Sequence, residues 1–178
     1  SRDYLVKANW TLYCENYLEG FHIPYVHQGL SAALDYGSYT TELFPWSSLQ
    51  LGVSRGGEHV FDLPATSPDY GKQVGAYYWW VFPNLMFNFY PWGLSVNIIR
   101  PLGNALTKVS FITYILDESK LDQGAGSQLD KVEREDEAIV ESVQKGIQSS
   151  FYKSGRYSPT REQGTHHFHR LIARAMNS

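Results

Sequence analysis

The chain has 178 residues, with 15 Lys and Arg against 18 Asp and Glu, for a formal net charge of −3. That length suits one domain with its own core and is short for two, and 43% hydrophobic against 19% charged residues excludes a disordered chain. No Lys/Arg cluster of the kind that tracks phosphates occurs, so a nucleic-acid partner is not expected, and the single cysteine, Cys14, excludes an internal disulfide or a cluster built from this chain's own thiolates.

Residues 1–10 lack the long apolar stretch of a secretory signal, and the best apolar run, Tyr77 to Phe82, stops at Pro83-Asn84, far short of a membrane span. The expectation is a cytoplasmic protein without a membrane segment. Residues 10–34 read as helix, with Trp10, Leu12, Tyr13, Tyr17, Leu18 and Phe21 apolar and an interruption at Pro24. The Gly- and Pro-dotted stretch 55–73 reads as a long surface loop. Short runs bounded by turn residues then predict strands at Tyr39–Phe44, Leu49–Ser54, Gly75–Phe82, Leu85–Tyr90, Leu94–Arg100 and Leu106–Leu116. In the last of these both faces are apolar, which predicts cover on both sides. Helical spacing returns at Gln128–Tyr152 and at Gln163–Met176. Helix, consecutive antiparallel strands and a long helix make an α+β fold, with a curved sheet gripping the long helix.

Two features point to metal chemistry. His22 and His27 lie five residues apart, roughly 140° around an ideal helix, so they share an ion only if the helix breaks between them. Pro24 sits where that break is needed. On the long helix, Leu129, Val132, Val140, Val143, Ile147 and Phe151 form an apolar stripe, and Asp136 falls within it. Arg134, Glu135, Glu137 and Glu141 point away, and Glu133 lies at its edge. A carboxylate in a buried stripe is costly unless paired or metal-bound. A salt bridge to Arg100 is one solution. The other is a 2-His-1-carboxylate set, which suits non-haem Fe(II) that activates O2, with zinc the chemical alternative. His59 reads as a solvated loop residue, His166, His167 and His169 as a cluster on a surface helix, and Cys14 as a small packed hydrophobe.

The segment NWTLYCENYLEGFHIPYVH resembles the iron-binding stretch of the α subunit of Rieske non-haem iron ring-hydroxylating oxygenases. FPNLMFNFYP and EREDEAIVESVQKGIQSSFYKSGRYS are similar to that family as well, and the nearest branch is that of choline and carnitine monooxygenases. The resemblance implies a helix-grip (START/Bet v 1-like) catalytic domain over residues 1–178, with His22, His27 and Asp136 as ligands of one Fe(2+). It implies that Glu19, three residues before His22, links the iron to the Rieske cluster of a neighbouring subunit. Asn16 and Tyr17 match the family's ENY and would support the site. The Rieske [2Fe-2S] centre, with its CxH and CxxH ligands, would come from another domain or a neighbouring subunit, because one cysteine cannot bind it.

The implied activity is O2-dependent hydroxylation or demethylation of an aromatic or quaternary ammonium compound. Electrons would come from NAD(P)H through a reductase or ferredoxin, in a homotrimer. Tyr77, Trp79, Trp80, Phe87, Phe89 and Tyr90 are candidates to line the substrate cavity or to build the sheet; an aromatic cage would hold a quaternary ammonium group by cation–π attraction. The rival reading is a helix-grip module that binds an apolar ligand without metal. It expects Asp136 paired with an arginine and His22 far from His27.

Overall fold

Alternation along the middle of the chain builds one antiparallel sheet, and its concave face decides where everything else goes. A computed structural model describes residues 1–56, 59–121 and 129–178. The strands are β1 (Arg2–Val6), β2 (Thr40–Phe44), β3 (Ser47–Val53), β4 (Val74–Val81), β5 (Leu85–Tyr90), β6 (Gly93–Gly103) and β7 (Leu106–Ile115). The helices are α1 (Trp10–Tyr17), α2 (Ile23–Val26), α3 (Gln28–Ala33), α4 (Leu129–Ile147) and α5 (Gln163–Met176). The seven strands run in the order β1-β7-β6-β5-β4-β3-β2, all neighbours antiparallel. This is the expected α+β arrangement, and the six strands expected from the sequence stand within a few residues of their predicted ends. β1 was missed because it is five residues long and only Val6 in it is buried.

Period two sorts the side chains. Ala76, Tyr78 and Trp80 of β4 and Met86, Asn88 and Tyr90 of β5 are buried on the inner face. Tyr77, Trp79, Phe87 and Phe89 point the other way, where Phe44 stacks on Trp79 at 5.1 Å between ring centroids. Of the six aromatics proposed for the cavity, only Tyr90 lines it. β7 departs from expectation too: Val109 and Phe111 are buried, but Tyr114 and Leu116 are 58% and 87% exposed, so its far end is not covered on both sides.

α1 lies across the inner face. Asn9 starts it, its Oδ1 accepting from the backbone N–H of Thr11 at 3.0 Å. Leu12, Tyr13, Cys14 and Leu18 go down into a core with Trp80, Met86, Ile99, Val109 and Phe111. Cys14 is the packed hydrophobe the sequence suggested. α5 closes the same core with Phe168 and Leu171; the Phe168 ring meets Trp10 at 5.8 Å and Trp80 at 5.3 Å, edge to face. One face of this helix is therefore core, although its histidines lie toward the surface.

α4 packs on α1 and β1. Its buried residues are Glu133, Val140 and Gln144, so the inward face is turned from the apolar stripe toward polar side chains. Val143 and Ile147 remain 43% and 37% exposed, and Phe151, beyond the helix end, is 92% exposed. The polar face has work at the β1–α1 connection: Glu141 Oε1 accepts from the Lys7 N–H at 2.8 Å and Gln144 Oε1 from the Asn9 N–H at 2.7 Å. Among the described residues no helix is long and apolar enough to cross a membrane.

The α5–α1 approach gives a test of this packing. A Cβ at Gly164 would stand 2.5 Å from the Leu18 carbonyl oxygen, at the end of α1. Gly164→Ala should lower stability by about 1–3 kcal/mol in chemical or thermal unfolding, since a backbone atom cannot step aside as a side chain can.

Candidate metal centre

The helix break that the histidine pair requires occurs earlier than Pro24. α1 ends at Leu18, whose N–H bonds back to the carbonyls of Cys14 and Glu15. Residues 19–22 are irregular, and Pro24 occupies the first turn of α2, where no N–H is needed. His22 caps the N-terminal end of α2 and His27 its C-terminal end. The short helix thus swings both imidazoles onto one point. Glu19 fixes the turn: its Oε2 accepts from the backbone N–H groups of Phe21 and His22.

At that point three side chains meet. His22 Nε2 lies 3.1 Å from His27 Nε2, His27 Nε2 lies 3.0 Å from Asp136 Oδ1, and His22 Nε2 lies 3.4 Å from the same oxygen. His27 is 2% exposed, while His22 and Asp136 are partly buried. The alternative considered for Asp136, a salt bridge to Arg100, is not made among the described residues; Asn16 Nδ2 donates to Asp136 Oδ1 at 2.7 Å.

Each histidine is held from behind by a carboxylate. His22 Nδ1 faces Glu19 Oε1 at 2.5 Å, and His27 Nδ1 faces Glu135 Oε2 at 2.8 Å. The carboxylates require the ring proton on Nδ1, which leaves both Nε2 lone pairs aimed inward at Asp136. Glu135 was read from the sequence as pointing away from the site. The structure corrects this: one step along α4 from Asp136, it reaches His27 from the other side. Tyr17 shares the cavity wall with the three converging residues but makes no hydrogen bond to them; its hydroxyl donates to Asn88 Oδ1 at 2.8 Å.

Two nitrogen lone pairs and a carboxylate oxygen about 3 Å apart repel one another unless a positive charge stands with them. The titration directions say the same. Burial pulls the His22 pKa down, but Asp136 and Glu19 outweigh it and push it up to about 9. His27 is raised against burial by Asp136 and Glu135. Burial favours the neutral form of Asp136, yet the histidine bonds hold its pKa down at about 2. A metal at about 2.1 Å from each donor would separate neighbouring ligands on an octahedral face by about 3.0 Å, close to the spacing found. The donor set, its spacing and its supporting carboxylates fit a divalent ion.

The three side chains line a cavity between α1, α4 and the sheet. It offers about 100 Å³ to the centres of water-sized molecules, and its aromatic wall is Tyr13, Tyr17, Tyr39, Tyr78, Tyr90 and Phe111. Burial lifts the pKa of Glu133, also in the wall, to about 7. A polar row of Gln50, Asn88, Ser95 and Asn97 completes it. Sequence reading missed this row; its only signal is polar residues at inward positions of otherwise apolar strands.

A helix-grip sheet with a 2-His-1-carboxylate cluster opening on a cavity defines the class of non-haem iron oxygenase domains. The whole chain, residues 1–178, matches the family of the ring hydroxylating alpha subunit (catalytic domain), and the chain belongs to that family. Among its relatives is the chloroplastic choline monooxygenase of Arabidopsis thaliana, 39% identical over 96% of this chain and 40% of the relative. Another is the carnitine monooxygenase oxygenase subunit of Escherichia coli K12, 29% identical over 93% of this chain and 46% of the relative. A solved quaternary ammonium Rieske monooxygenase superposes with a TM-score of 0.74 at 25% identity, over 98% of this chain and 49% of that one. Dicamba monooxygenase, at 15% identity and a TM-score of 0.60, shares the fold. The chain spans less than half the length of the choline and carnitine monooxygenases.

Two outcomes check the site. Removing the carboxylate behind His27 with Glu135→Ala should weaken divalent metal binding about 10- to 100-fold in a metal titration. Glu133, with a folded pKa of about 7 against an ordinary 4.5, lowers stability as pH rises from about 4.5 to about 7, where the folded chain binds the extra proton. Glu133→Gln should remove that part of the fall, raising stability above pH 7 by up to about 3 kcal/mol relative to the parent chain in denaturant unfolding.

Proposed function

We propose that this chain holds one Fe(II) on His22, His27 and Asp136 and serves as the catalytic part of an oxygenase acting on a quaternary ammonium compound. The observation that carries the reading is the convergence of those three donor atoms in the wall of an aromatic cavity that carboxylates also line. Iron on such a facial set would supply O2 activation at positions left open by the protein. The protein's own groups would do the rest. Glu19 and Glu135 keep the imidazole protons on Nδ1, and Asn16 orients the Asp136 carboxylate. The aromatic walls exclude water and offer π faces to a cation.

The electrostatics favour a cation over an aromatic acid. Glu19, Glu133 and Asp136 line the cavity, and no Lys or Arg among the described residues does. Solved relatives of this fold have been described in complex with L-carnitine and with gamma-butyrobetaine, and one description reports inter-subunit electron transfer. By the family resemblance, electrons would pass from NAD(P)H through a reductase or ferredoxin and a Rieske [2Fe-2S] cluster on a neighbouring subunit of a trimer, with Glu19 beside His22 as the link. The metal-free rival expects Asp136 on an arginine and His22 apart from His27, and neither arrangement is found.

Anaerobic titration should give one tightly held Fe(II) per chain, and His22→Ala or Asp136→Ala should abolish it. Full retention of affinity in either variant would overturn the assignment. Supplied with a Rieske partner and reductase, the chain should consume O2 with a quaternary ammonium substrate and not with benzoate-like acids.

A further inference from the structure

Three carboxylates line the cavity, and two of them are already engaged. Glu19 faces His22 Nδ1 with Oε1 and accepts from two backbone N–H groups with Oε2. Asp136 accepts from Asn16 and stands against both histidines. Glu133 is the third, and it has no hydrogen-bond partner among the described residues. Its one ion-pair contact is Arg2, whose Nη2 approaches Oε2 at 3.3 Å from the β1 side. Asp130 holds the same guanidinium at 2.8 Å, so Arg2 is divided between two carboxylates and leaves Glu133 incompletely neutralised. The Glu133 side chain is only 7% exposed, and a charge so buried is costly without a full partner.

The position of this residue matters as much as its lack of partners. Glu133 stands one turn before Asp136 on α4, a spacing that sets the two Cβ atoms about 5–6 Å apart on one face. A ligand seated beside the metal-binding residues is therefore within Coulomb reach of Glu133. Burial raises the Tyr13 and Tyr90 pKa values, and the Glu133 charge adds to both, which sets the carboxylate among two rings of the cavity wall. No Lys or Arg among the described residues lines that wall. A carboxylate acts on a cation through space and needs no exposed oxygen to do so. Opposite charges about 5 Å apart in such a wall change an affinity by about tenfold or more. Glu137, one turn further along α4, also has a buried oxygen without a partner, but it does not line the cavity.

We propose that Glu133 is the counter-ion of the substrate's ammonium group, the residue by which the cavity selects a cation over a neutral molecule of the same shape. The inference rests on the quaternary ammonium reading above. Its test is calorimetric binding to the Fe(II)-loaded chain without O2, with choline and its uncharged carbon isostere 3,3-dimethylbutan-1-ol as probes. The measurement is made at about pH 8, above the Glu133 pKa of about 7, where Glu133→Gln should be at least as stable as the parent chain. The parent should bind choline far more tightly than the isostere. Glu133→Gln should cut that preference about tenfold by weakening choline and leaving the isostere unchanged, while the aromatic walls keep part of it. Glu137→Gln, which removes the same charge from the same helix outside the cavity, should leave the preference as it is. An undiminished preference in Glu133→Gln overturns the proposal, as does an equal loss for both probes or an equal loss of preference in Glu137→Gln. In those cases the quaternary ammonium reading stands and only the role of Glu133 falls. If choline binds the parent no better than the isostere, or not at all, the reading itself falls and this inference with it.

Discussion

The structure turns on two hydrogen bonds made behind the histidines. Glu19 takes the Nδ1 proton of His22 and Glu135 that of His27, and the two lone pairs are thereby committed to face Asp136. Without those carboxylates each imidazole could rotate or change tautomer, and the three donors would have no reason to stay about 3 Å apart. The local chain serves this arrangement. Glu19 also binds backbone N–H groups that follow it, so one side chain both fixes the irregular turn and orients the first histidine.

Holding so many carboxylates together is expensive, and the fold meets the cost by choosing what α4 buries. An ordinary amphipathic helix would present its apolar stripe to the core. α4 instead turns Glu133, Val140 and Gln144 inward, with Asp136 and Glu137 partly buried on the same side. Glu141 and Gln144 are rewarded with backbone N–H partners at Lys7 and Asn9, and Asp136 with Asn16 and the histidines. Glu133 and Glu137 are less well served, and burial raises both toward a pKa of about 7. That residual cost is one that stability alone would not select, and it falls on the helix face turned toward the cavity.

Much of this was legible in the sequence. The strands follow from alternation between turn residues, Asp136 stands out by helical phase, and the histidine pair was legible only on condition that the helix breaks between its members. What was not legible depended on tertiary choices. Glu135 looked solvent-facing because helical phase says nothing about a histidine arriving from another element between two adjacent acids. Pro24 looked like the break because proline is an obstacle inside a helix; at the start of a new one it is an asset, and the true break fell at residues 19–22. The aromatic wall was misassigned for a related reason. Period two separates the faces of β4 but does not say which face is concave, and the side carrying Tyr78 and Trp80, rather than Tyr77 and Trp79, turned out to be the inner one.

The division of labour on that inner face explains how one sheet serves both stability and recognition. Toward α5, Trp80, Met86, Ile99, Val109 and Phe111 pack tightly with α1. Toward α3, Leu34, Ala76, Tyr78, Tyr90 and Trp92 form a second cluster. Tyr17 packs against both, and its hydroxyl and carbonyl engage Asn88 and Gln50. Tyr17 therefore acts at a distance from the histidines: it seats α1 on the polar row and leaves the cavity open between two filled cores. A ligand entering that space would meet walls already held by packing on either side, so little ordering of the protein would be needed to enclose it.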